Sequence, residues 1–191
     1  MICTIGPTHY AQAPPLPEVM KEVIGLYVQI VLLRRGPQDL PVSRLLLILT
    51  VCGFVAVSSV VYALLPSTAG WPLQLGVETL FVLAWYAALL QLAGRSERFL
   101  QTVTGVFGLR ALLAPPLLAS QWLLVRYQHD AVWQLPIAVA GLALVVWQIA
   151  ANSHVVKQAL DWSTAASVAL VILQVVSGEL VELALFAPAA P

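Results

Sequence analysis

Charge is what this sequence has least of. Of its 191 residues only 9% are Asp, Glu, Lys or Arg, against about 25% in a soluble domain. So little charge does not coat a water-exposed surface, which excludes an ordinary water-soluble globule. Basic and acidic residues cancel to a formal net charge of zero, so nothing suggests nucleic acid or a strongly acidic partner. Cysteine is nearly missing. Cys3 and Cys52 stand far apart, with no spacing for a disulfide framework or a zinc site, and Cys52 lies in an apolar run as a small packing residue. His9, His129 and His154 are scattered over a tail and loops. The sequence has no His-Glu-x-x-His, no Gly-x-Ser-x-Gly and no phosphate-cradling glycine loop,. Ser58-Ser59 and Ser163-Thr164 lack an adjacent base. The expectation is a non-enzymatic chain with no cofactor and no metal.

What is there is hydrocarbon, 60% hydrophobic residues in all. A helix rises ~1.5 Å per residue, so crossing a ~30 Å hydrocarbon core takes about 20 mostly apolar residues. Five stretches meet this: Leu45–Leu65, Leu73–Leu92, Phe99–Leu124, Val132–Ala151 and Ala165–Phe186. Long apolar runs without alternation are helices, not strands of a membrane barrel. The fold expected is all-α, a polytopic bundle with five transmembrane spans over residues 44–187. The connections Pro66–Pro72, Gly94–Arg98, Val125–Ala131 and Asn152–Thr164 are too short for a second domain, and no internal repeat occurs. The third span carries Arg110 and the pair Pro115-Pro116. The prolines remove two backbone donors, so a kink or break is expected there, and a re-entrant segment would reduce the spans to four.

Lys and Arg collect on the cytoplasmic side of short loops. With the N-terminus inside, that side holds Lys21, Arg34, Arg35, Arg44, Arg95, Arg98 and Lys157, and the other side Arg126 alone. Five spans then put the C-terminus outside. Trp71, Trp122, Trp133 and Trp162 fall near span ends, where indole rings favour the interface. Arg in excess of Lys, with abundant Ala, Leu and Val, points to a bacterial genome and so to an inner membrane. Residues 1–17 form a Pro-rich, disordered tail without the build of a signal peptide, and Met20-Lys21-Glu22 reads equally as a translational start. Residues 18–43 hold a helix, Glu18–Arg35, whose apolar core is too short to span, and a linker. The helix either lies amphipathically in the cytoplasmic interface, with Arg34 and Arg35 toward anionic headgroups, or packs beneath the bundle. Residues 188–191 are a short tail.

Ionisable groups inside hydrocarbon are costly and pair with something. Arg110, Glu78, Glu179 and Glu182 are the candidates. Glu179 and Glu182, three apart, share a helix face. Together they form either a cluster that binds an ion, a proton or a polar substrate, or a structural pair plus an interfacial acid. Gln91, Gln101, Gln121, Gln134, Gln148 and Gln174 bond across helices or sit at interfaces.

Gly105-Val106-Phe107-Gly108-Leu109-Arg110 followed by Pro115-Pro116-Leu117-Leu118, and the stretch Trp147–Ala166 leading into Ser163-Thr164-Ala165-Ala166, complete a layout that resembles the Yip family. These are Rab-GTPase-interacting membrane proteins, and the likeness is to their bacterial relatives in particular. The resemblance covers about 150 residues and implies a cytoplasmic helix followed by five spans. The eukaryotic Asp-Leu-Tyr-Gly-Pro element is not present in that order in Gly36-Pro37-Gln38-Asp39-Leu40-Pro41, so a GTPase partner is not implied. The functional expectation is a scaffold or accessory subunit partnered by the lipid bilayer and by another membrane protein or further copies of itself. The alternative is a small transporter or channel component built on the charged cluster.

Overall fold

A computed structural model describes residues 16–64 and 70–186. The expected tails, apart from residues 16 and 17, lie outside them. The described chain forms six α-helices: α1 Leu16–Val31, α2 Arg44–Leu64, α3 Trp71–Leu92, α4 Phe99–Arg126, α5 Ala131–Leu160 and α6 Thr164–Phe186, with 3-10 turns at Pro37–Asp39 and Ser96–Arg98. Four of them, α3 to α6, are long and apolar enough to cross a membrane. The chain has the build of an integral membrane protein. The apolar stretch of α2, Arg44–Val60, is shorter.

α4 is the central post. It packs against α2 and α5, and less extensively against α1 and α3, while α6 closes on α5 and α3. Its first turns are sheathed on every side, with Thr102–Leu109 all buried. The prolines do not break it. Helix continues from Phe99 to Arg126 through Pro115 and Pro116, which corrects the expected break and removes the re-entrant alternative. Two features account for this: proline's fixed φ of about −65° lies inside the helical range, and spans tolerate the freed carbonyls where neighbours compensate.

A second difference concerns α5. The stretch Asn152–Thr164 looks like the longest loop, yet helix continues to Leu160, leaving a turn of Asp161-Trp162-Ser163. Asn152, Ser153, Val155, Val156 and Ala159 are buried, so the polar composition that suggests a loop is here core lining. The turn is fixed from outside. Arg98 Nη1 donates to the carbonyls of Gln158 at 3.1 Å and Ala159 at 3.0 Å and to Asp161 Oδ2 at 3.1 Å. A guanidinium at a helix C-terminus satisfies orphan carbonyls and opposes the negative end of the dipole. Arg95 meets the same carboxylate at 3.2 Å.

α1 ends at Val31, short of the expected Arg35, because Leu33 turns into the left-handed region at φ 61°. Its inner face packs on α4: Tyr27 and Ile30 are buried. A methyl on Gly108 would stand 2.2 Å from the Tyr27 ring, and one on Gly105 would stand 3.3 Å from Pro37. The two glycines thus form a trough in α4 that receives α1 and the Pro37 turn. Thr50 Oγ1 gives its proton to Leu46 O at 2.7 Å, so Tyr27 OH donates to Thr50 at 2.7 Å. Trp147 Nε1 donates to Val31 O at 3.1 Å, and Gln101 Nε2 to Leu40 O at 2.9 Å. Ile24 and Val28 on the outer face of α1, and Leu32 just past its end, remain exposed. One end of the bundle is therefore capped by the N-terminal segment, beside the α3–α4 and α5–α6 turns.

Candidate functional site

The membrane-depth charges come together. Arg110, on the α4 face toward α3, makes an ion pair through Nη1 with Glu78 Oε1. Both partners are largely removed from solvent, at 12% and 28% side-chain exposure. Glu179 and Glu182 reach the same region from α6. Here Glu182 is half-buried and Glu179 is exposed. The four residues expected from sequence thus share one neighbourhood, but they are not equivalent: two are matched to each other and two are surplus.

Two cavities flank the ion pair. The larger, about 370 Å³, lies among α2, α4, α5 and α6 with Glu78 of α3, and its polar lining is Ser58, Tyr62, Glu78, Arg110, Gln121, Gln148 and Glu179. The smaller, about 170 Å³, is bounded by α3, α4 and α6 with Gln148 of α5, and adds Gln174 and Glu182. Glu78, Arg110, Gln148 and Glu179 line both, so the Arg110–Glu78 pair stands as a shared wall.

Beside that wall, three helices are joined by one hydroxyl. Tyr86 OH has a single proton and two acceptors, Gln174 Oε1 at 2.9 Å and Asn152 Oδ1 at 3.3 Å. Tyr86, Asn152 and Gln174 are all buried, so this bond ties α3, α5 and α6 together where water does not compete. Among the described residues three buried side-chain atoms are left without a partner: Arg110 Nε, Gln174 Nε2 and Trp85 Nε1. All three are N–H donors, and two of them belong to residues lining the smaller cavity.

Sequence reasoning picks out the four charges by depth. It weighs Ser58 only as a serine without a base and does not single out Tyr62, although their four-residue spacing puts both on one face of α2, and it does not single out Tyr86 as a link between helices. Pro115 contributes to a shallow apolar recess with Leu118, Ala119 and Trp122, away from the charges. Among the described residues no group of His, Cys, Asp and Glu is placed to hold a metal. No protein-family model, curated protein or solved structure matches this chain.

Proposed function

We propose that the protein is a non-enzymatic scaffold or accessory subunit of a membrane complex. The observation that carries this reading is where its polar side chains go. Arg98, Gln101, Arg110, Tyr86 and Trp147 each bond to another element of the same chain; Arg98, Gln101 and Trp147 build a fixed platform at the end capped by α1 and the Pro37 turn, and Tyr86 and Arg110 tie the helices further along the bundle. In this reading α2 is a fifth span and α1 lies in the cytoplasmic interface, its exposed Ile24, Val28 and Leu32 against acyl chains. The concentration of Lys and Arg at the capped end supports a cytoplasmic N-terminus and an external C-terminus in a bacterial inner membrane. The trough of Gly105 and Gly108 is consistent with the Yip-like layout. The platform docks a second membrane protein or a further copy of the chain.

Gentle extraction from native membranes through a cytoplasmic N-terminal tag, with mass spectrometry of what co-purifies, tests this. A stoichiometric partner, or a stable homo-oligomer by light scattering, is expected. A monomer recovered alone from several mild detergents would overturn the reading.

The paired cavities favour a second reading, a small transporter or channel component. Arg110→Gln separates the two. Loss of the protein from the membrane marks the ion pair as a clamp between α3 and α4. Normal abundance with loss of ion flux in proteoliposomes marks it as part of a pathway.

A further inference from the structure

Three carboxylates and one guanidinium share the region of the two cavities, and only one carboxylate is matched. Arg110 pairs with Glu78. Glu179 and Glu182 have no ion-pair partner among the described residues. Fully ionised, the cluster holds a surplus of two negative charges at a depth where even one is costly. Like charges three apart on a helix also repel. The groups facing Glu182 from the surrounding elements do not remedy this. They are Glu78 from α3, Arg110 from α4 and Tyr62 from α2, with only neutral Gln148 from α5.

A second, independent observation is a buried polar side chain left without a partner on the cavity lining. Gln174 is 1% exposed, lines the smaller cavity, and has an Nε2 with nothing to donate to. Arg110 Nε, on the same lining, is in the same position. Water is the acceptor that serves both, since one molecule accepts from a buried N–H and donates to a carboxylate. A volume of about 170 Å³ holds several such waters, each needing roughly 10–15 Å³ on this measure. Unmatched carboxylates beside such a cavity call for a compensating cation,.

We infer that the cavity between α3, α4 and α6 is an exchange site for a small monovalent cation, a proton or an alkali ion, held by Glu179 and Glu182 and by water hydrogen-bonded to Gln174. An anion is excluded by the surplus carboxylates, which outnumber the one guanidinium, itself paired with Glu78. A divalent metal is not indicated, since among the described residues no group of three or more His, Cys, Asp or Glu is placed to hold one. The site shares its cavity with the transporter reading but does not depend on transport: binding without flux leaves it standing.

The test uses the full chain in nanodiscs of zwitterionic lipid, melted in NaCl or KCl against choline chloride at equal ionic strength, across pH. A site of this kind raises Tm by about 3–6 °C at tenfold excess over its Kd. A saturable rise in Na⁺ or K⁺ but not choline, competed away by acid, identifies an alkali ion. A rise on acidification alone identifies the proton. The Glu179→Gln/Glu182→Gln variant keeps the shape of the carboxylates, and it is expected to fold with a higher starting Tm and to lose either response. Gln174→Leu should weaken the cation's apparent affinity several-fold. Equal melting under all salts and pH values, or a response that survives the double variant, would overturn the inference. Proteoliposome flux, measured separately, reports on transport alone.

Discussion

The two halves of the bundle are built on different principles. At the capped end, the start of α4, the end of α5, α1 and the Pro37 turn bury one another, and Thr102–Leu109 has no face left open. In the other half, α5 is almost bare. Val132, Trp133, Leu135, Val139, Leu142, Val145 and Val146 are exposed, and contact with the bundle is a narrow seam including Ile137 and Gly141, the latter against Ser120. The capped end is packed like a soluble core, tolerant of neither volume nor polarity changes. The bare half gains nothing from excluding water, because lipid is as apolar as its side chains, and it is held by close seams and polar bonds instead. The charges sit in this second half, where packing is loose enough to leave cavities.

That contrast is open to direct attack, and a change in the trough should do most damage. Gly108→Val drives side-chain atoms into the Tyr27 ring, with a cost of about 1–3 kcal/mol expected from overpacking. Thermal unfolding in detergent measures it, and Tyr27→Ala in the same chain should recover part of the loss. If Gly108→Val melts like wild type, α1 is not seated on α4. Next comes Tyr86→Phe. It leaves Gln174 and Asn152 without their shared donor in the buried region joining α3, α5 and α6, and about 1–2 kcal/mol is expected to be lost. An unchanged melt would show that the glutamine and asparagine satisfy each other or water instead. The smallest effect belongs to the bare half. Val139→Leu on α5 should fall within about 0.5 kcal/mol, and a larger loss would mean that this face is covered by protein in the membrane.

Much of this was legible from hydropathy. Four of the expected spans coincide with helices long and apolar enough to cross a membrane, and the depths assigned to Glu78, Arg110, Glu179 and Glu182 bring them to one region. Two kinds of feature were not legible. The first is rotation about a helix axis. Nothing in the sequence says that Gln174 faces Tyr86 while Gln121 lines a cavity, because a glutamine in an apolar run carries no direction. The second is burial of polar stretches. Asn152–Leu160 reads as loop because Asn, Ser, His, Lys and Gln crowd it, and only packing against α4, Tyr86 of α3 and the docked N-terminal segment makes that surface interior. Pro115-Pro116 shows the converse. The local rule predicts a kink or break, yet helix runs through both prolines.

The seating of the N-terminal segment also imposes an order in time. The carbonyl of Val31 receives its proton from Trp147, 116 residues further along the chain, and the trough that accepts Tyr27 and Pro37 belongs to α4. At ribosomal speeds of about 5–20 residues per second, these partners emerge on the order of ten seconds after α1. For that interval the segment has helical residues but no receptor. Its docking waits until α4 and α5 as far as Trp147 are in place.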